Sequence, residues 1–226
     1  MLFRSELLRK ARGVDMPADA RRDPLMYQGN SAWLTGPRDP VQAASEDWGI
    51  DIEAEVAVIL GDVEPGTRHE RTGDAIRLLT LANDISLREL IPAELAKGFG
   101  FVHGKAATAF APVAVTPDEL GSAWDGRRLS GRVRVLVNDE LLGELDAGTD
   151  MQFDFPKLIA HAAKTRPLAC GTVLGSGTIS NSGHAGGFGC LAERRAMRSL
   201  KGEEPGPWLR FGDRRSEEHT SELQSR

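Results

Sequence analysis

The segment DIEAEVAVIL, Asp51 to Leu60, alternates more cleanly than any other part of the chain. Ile52, Ala54, Val56, Val58 and Leu60 fall on one side of an extended strand, and Asp51, Glu53, Glu55, Ala57 and Ile59 on the other. Side chains two apart on a strand share a face at roughly 7 Å spacing, so Glu53 and Glu55 stand side by side. One face of this strand is wholly apolar, which predicts that it is buried. Adjacent carboxylates on a buried strand are electrostatically costly unless a cation or a basic partner offsets them. A half-exposed edge strand with solvated acids is the alternative, because buried glutamate is rare. If a cation is held, oxygen-only ligands suit magnesium, calcium or manganese better than zinc.

The rest of the chain is consistent with a β-rich core. Arg4 to Arg12 has helical spacing, and Pro17, Pro24, Gly29, Gly36, Pro37 and Pro40 break the stretch up to Trp48 into extended pieces and turns. Thr72 before DAIRLLTLA suggests a capped helix, with a possible passage into a strand before Asn83, and Ser86 to Leu90 a helical turn. FAPVAVT reads as a strand, and GRVRVLVNDELLGEL as a hairpin turning at Asn138 and Asp139. DFPKLIAHAAKT reads as a helix capped by Asp154 with Pro156 in its first turn. GTVLGSGTIS reads as a strand entering a glycine-rich loop, and CLAERRAM as a further strand. Strands outnumber helices and no βαβ rhythm appears, so an α+β, β-rich roll with inserted helices is favoured over a doubly wound fold.

Composition narrows the function. With 226 residues, 40% of them hydrophobic, one sizeable core is the default. A formal charge of -5 and the absence of a basic block argue against a nucleic-acid surface. No apolar run reaches the length of a membrane span and the N-terminus lacks a signal-peptide core, so a cytoplasmic protein is expected. Cys170 and Cys190 are too few for a disulfide framework and are expected to be buried thiols. The last segment, RSEEHTSELQSR, reads as the translation of a short-read sequencing adapter. The expected organisation is therefore an irregular lead-in over 1–48, one main domain over 49–214 and a non-native tail over 215–226.

Four motifs in order, DIEAEVAVILG, LANDISLRELIPAE, GFGFVHGKAATAFAPVAVTPDEL and GSGTIS, make the chain resemble the fumarylacetoacetate hydrolase family over nearly all of its native length. The resemblance implies that family's mixed β-sandwich roll. It also implies that Glu53, Glu55 and Asp84 bind a catalytic divalent metal, with Mg2+ first and Mn2+ or Ca2+ as alternatives. By the same resemblance Lys105 is the lysine beside the metal that stabilises negative charge on the substrate, and such a fixed ammonium complements a developing enolate. Arg88 matches the arginine that follows the metal aspartate, where it serves substrate or pairs with a nearby acid. Thr178 matches a loop that approaches the substrate. Glu193 matches a glutamate that orients a base histidine, and Arg4 and Tyr27 match positions at the substrate's carboxylate end, a task that suits the arginine fork.

The departures from the family pattern also matter. Its base histidine and first metal-binding aspartate, where present, lie upstream of the position matched by Arg4, so the resemblance implies a chain cut at both ends that lacks part of its water-activating machinery. His103, His161 and His184 are not assigned as replacements. Ile91 stands where substrate-reading glutamine often occurs. The implied activity is hydrolysis of a carbon–carbon bond in a 1,3-diketo acid such as fumarylacetoacetate, in tyrosine catabolism, or an acylpyruvate. A β-keto acid decarboxylase, an isomerase, a sugar-acid dehydratase and an inactive metal-binding fragment are the alternatives. Homodimerisation is implied too, with Trp33 and Trp48 able to serve an interface or the core.

Overall fold

The computed structural model describes residues 2–220, and the side chains of 5–217. In chain order its elements are α1 (Leu2–Ala11), β1 (Leu34–Thr35), β2 (Ile50–Asp51), β3 (Ala54–Leu60), α2 (His69–Thr72), β4 (Ile76–Asp84), β5 (Ser86–Leu87) and α3 (Ile91–Leu95). There follow β6 (Thr108–Phe110), β7 (Arg132–Val137), β8 (Glu140–Asp146), α4 (Phe155–Ala162), β9 (Val173–Gly175), α5 (Leu191–Leu200) and β10 (Arg215–Thr220).

The α+β, β-rich architecture expected from the sequence is present. A five-stranded sheet runs β1-β6-β4-β3-β9, beside a three-stranded sheet β10-β7-β8 and a small ladder β2-β5. The larger sheet is mixed, because β1 joins β6 in parallel while its other pairs are antiparallel. Val56, Val58 and Leu60 of β3, Leu79 of β4, Val133 and Val135 of β7, Leu145 of β8, and Phe155 and Ile159 of α4 belong to one buried cluster. The apolar face of β3 thus lies at the centre of the core, with β3 held between β4 and β9.

Several local readings hold. The hairpin turns at Asn138 and Asp139, both with positive φ (52° and 66°), the backbone that a two-residue turn between twisted strands requires. Asp154 caps α4 by accepting from the amide of Lys157 at 3.1 Å. Others need correction. Asp51 to Leu60 is not one strand: β2 ends at Asp51 and β3 starts at Ala54, because the amide of Glu53 donates to the side chain of Asn83 (3.1 Å) instead of to a ladder carbonyl. DAIRLLTLA is not a Thr72-capped helix: after a short turn through Asp74 and Ala75 it makes the allowed passage into a strand, β4 from Ile76, whose apolar residues pair along β3. FAPVAVT is only partly strand, β6 stopping at Phe110. CLAERRAM opens helix α5, which packs beside α1 and buries Leu191, Ala192, Glu193 and Ala196. Cys170 is exposed; only Cys190 is buried.

Candidate metal centre

The antiparallel pairing of β3 with β4 builds the acidic cluster. Ala54 lies opposite Asn83, and the amide of Asp84 donates to the carbonyl of Glu53 at 3.1 Å, so the end of β4 meets the start of β3. Glu53, Glu55 and Asp84 each turn a carboxylate oxygen into the same space, all within 4.8 Å of one another. All three are buried, at 3%, 6% and 5% exposure, a degree of burial that isolated carboxylates do not tolerate. The glycine-rich loop after β9 closes over Glu55, whose Oε2 accepts from the amide of Gly177 at 3.0 Å. A side chain at Gly175 would place its Cβ 2.3 Å from that oxygen, so the loop approaches only because this residue has none.

Two buried cations face the acids. Lys105 Nζ lies 2.6 Å from Asp84 Oδ2, 3.2 Å from Glu53 Oε2 and 2.7 Å from Ser86 Oγ. Arg88 donates from Nε to Asp51 (2.8 Å) and from Nη2 to Glu53 (2.5 Å). Burial works against the charge on Arg88, but Glu53 and Asp51 outweigh it and raise its pKa further. Tyr27 donates to Asp84 at 2.5 Å, and Lys105 sits 5.3 Å from the centre of its ring. Burial, then the charge of Asp84, raise the pKa of Tyr27, which stays a neutral donor. Asp84 also has a raised pKa: burial dominates and Lys105 offsets it only in part.

The donor set fits a divalent cation. Asp51, Glu53, Glu55 and Asp84 bring four buried carboxylates together beside Arg88 and Lys105, and three of them share one space. Ligands made only of carboxylate oxygen match magnesium, manganese or calcium.

The remaining candidates lie along the loop after β9 and at the chain start. Thr178 is fully buried, and its Oγ1 has no hydrogen-bond partner among the described residues. Ser180 donates to the fully buried Glu193, and His184 Nδ1 lies 3.5 Å from Glu193 Oε1. The His184 ring is itself buried, 5.2 Å from the ring of Phe188, and burial followed by the charge of Lys201 lowers its pKa. Arg4 lies in α1, its side chain outside the described residues.

Two buried acids escaped the sequence reading as site residues. Asp51 was visible on the acidic side of the first strand but had no partner in sequence. Glu94 of α3, flanked by unremarkable residues, accepts the amides of Val102 (2.9 Å), His103 (2.6 Å) and Gly104 (2.9 Å), and so fixes the loop that presents Lys105.

The mixed β-rich fold carries a buried carboxylate cluster that could hold a metal ion, with a lysine inside it, and so defines a class of α+β proteins with an acidic centre. Within that class the chain belongs to the fumarylacetoacetate hydrolase family, the model of its C-terminal domain matching residues 4–221. It is 28% identical over 200 residues to the oxaloacetate tautomerase YisK of Bacillus subtilis, a match that covers 87% of this chain and 58% of that one. Among solved structures, a fumarylacetoacetate hydrolase from psychrophilic Exiguobacterium antarcticum shares the fold with a TM-score of 0.65 at 20% identity, over 90% of this chain and 65% of that one. So does a fumarylpyruvate hydrolase from Pseudomonas aeruginosa in complex with Mn2+ and pyruvate, with a TM-score of 0.63 at 13% identity, over 93% and 79%. The chain thus spans little more than half the length of the curated tautomerase. Among the described residues, no helix is long and apolar enough to cross a membrane.

Proposed function

We propose that the chain carries the site of a divalent-metal enzyme that stabilises the enolate of a small oxo acid, and that its reaction is hydrolysis of a carbon–carbon bond in a 1,3-diketo acid. The observation that carries this reading is Lys105, whose buried ammonium lies among the same carboxylates that would hold the cation. Bound at Glu53, Glu55 and Asp84, Mg2+ or Mn2+ would supply Lewis acidity toward the oxygens of the oxo acid. Lys105 contributes a fixed positive charge toward the oxyanion that develops next to it. Tyr27 keeps its proton and orients Asp84. The hydroxyl of Thr178 is available to a polar group of the substrate, and Arg4 would bind its carboxylate end. Arg88 acts on the site through the two acids it bridges. For hydrolysis, Glu193 would be the buried acid that orients the base.

Keto–enol isomerisation is the second reading. It needs the same charge stabilisation without an activated water, and the 28%-identical relative is an oxaloacetate tautomerase. A homodimer in the cytoplasm completes the proposal, and Trp33, 53% exposed, suits an interface better than the half-buried Trp48.

Proton NMR of the full chain with Mg2+ and, in turn, fumarylpyruvate, fumarylacetoacetate and oxaloacetate separates the readings. Hydrolysis yields two acids; isomerisation changes the keto–enol exchange rate without new acids. Glu53→Ala, Glu55→Ala and Asp84→Ala are each expected to weaken Mn2+ binding and abolish conversion. Unchanged metal affinity in all three would overturn the proposal.

A further inference from the structure

We propose that Asp51 is a positioning residue that ties the metal cradle to helix α5, so that cation binding and the seat of Glu193 depend on one another. This rests on the metal reading above and extends it to a residue that would touch neither the metal nor the substrate.

Asp51 is fully buried, and its two carboxylate oxygens are saturated by donors from three parts of the chain. Oδ1 accepts from the amides of Ile52 (2.8 Å) and Leu191 (2.7 Å). Oδ2 accepts from the amide of Ala192 (3.0 Å) and from Arg88 Nε (2.8 Å). Helix α5 opens at Cys190 with no side-chain cap of its own. Asp51 fills that role from far upstream, placing an anion where the first turn leaves amides unpaired and the helix dipole is positive.

The other side of the same carboxylate governs a metal ligand. Arg88 is divided between Asp51 and Glu53, donating Nε to the first and Nη2 to the second. With Asp51 neutralised, the guanidinium charge falls on Glu53 alone. Glu53 then takes the whole pull of Arg88 beside that of Lys105, and is a poorer donor to a cation that must compete with both. Conversely, a cation that draws on Glu53 shifts Arg88 toward Asp51 and strengthens the charge that holds the start of α5. Glu193 lies in that first turn, one residue beyond Ala192. The coupling is reciprocal by linkage.

The test is Mn2+ titration by calorimetry of the full chain, with hydrogen exchange read at Leu191 to Glu193 with and without Mn2+. Asp51→Asn is expected to raise the Mn2+ Kd by about 10–100-fold, the usual effect of removing a partner one shell out from a metal. It should also abolish Mn2+-dependent protection at the start of α5, which the unsubstituted chain should show. A purely structural Asp51 would lower Tm equally with and without Mn2+ and leave Kd unchanged, and that result overturns the inference. Should Asp51→Asn fail to fold, Arg88→Lys keeps the charge but loses the bridge. A comparable rise in Kd supports the coupling, and wild-type affinity overturns it. An unsubstituted chain that binds no Mn2+ overturns the metal reading and the coupling with it, whereas one that binds while indifferent to Asp51→Asn overturns the coupling alone.

Discussion

Lys105 Nζ lies 2.6 Å from Asp84 Oδ2, so the cation expected to act on the substrate is also a counter-ion of an expected metal ligand. The two roles pull in opposite directions when the lysine is removed. Lys105→Met takes away a positive charge that competes with the metal for Glu53 and Asp84. Mn2+ affinity should therefore stay level or tighten. Turnover should fall by about 10²–10³-fold, the scale of losing one oxyanion-stabilising group. Kinetics and calorimetry on the same preparation check this, and parallel loss of affinity and turnover would show that Lys105 only maintains the cradle.

Gly175 tests how closely the loop must approach. An alanine Cβ there would lie 2.3 Å from Glu55 Oε2, so the carboxylate must swing away from the space it shares with Glu53 and Asp84. Because the clash falls on the end of a flexible side chain, Gly175→Ala should fold. Its Mn2+ Kd should rise by about tenfold or more, with a shift in Tm far smaller than that of a core truncation. Thermal melts beside metal titrations separate the two effects.

Glu94 links the fold to pH. Burial pushes its pKa up, but the amides of His103, Gly104 and Val102 outweigh that and hold it below its ordinary value. A carboxylate whose folded pKa is depressed adds stability that is complete above its unfolded pKa, about 4.3, and is lost as pH falls through the folded value. The chain should thus lose this contribution in the acid range below about pH 5. Glu94→Gln should be less stable at neutral pH by about 1–3 kcal/mol, because it gives up charge-assisted bonds to three loop amides. Urea unfolding at stepped pH should show a shallower acid decline for the variant, and identical slopes would contradict the assignment.

Much of the site was legible because it lies on regular backbone. Glu53 and Glu55 announce themselves by spacing, and the turn at Asn138 and Asp139 by the residues that tolerate positive φ. Asp84 needed the order of motifs, since a lone aspartate after asparagine is also ordinary turn chemistry. What escaped depends on contacts distant in sequence. Nothing near Asp51 reveals that it caps a helix 140 residues away, and nothing in IPAELAKGFGF shows that Glu94 folds back on three amides. CLAERRAM misled because its buried Leu191, Ala192 and Glu193 are consecutive, so the helical period emerges only when Ala196 is buried again after Arg194 and Arg195.

The tail offers the last test. β10 pairs antiparallel with β7 from Arg215 opposite Val137 to Thr220 opposite Arg132, although its sequence reads as adapter-derived. Cross-strand pairs contribute about 0.2–1 kcal/mol each, while ordering each backbone residue costs about 1–2 kcal/mol, so the two terms nearly cancel. Deleting 215–226 should change unfolding stability by less than about 2 kcal/mol. The carboxylates lie on β3 and β4, in a different sheet from β10, so Mn2+ affinity should be unaffected. The visible consequence should be association: without β10 the apolar strand β7, RVRVLV, presents an open edge, the template on which strands of separate chains pair. Light scattering of the truncated and intact chains at matched concentration measures this, and a truncated chain that stays equally dispersed while losing several kcal/mol would show that the tail works as part of the core.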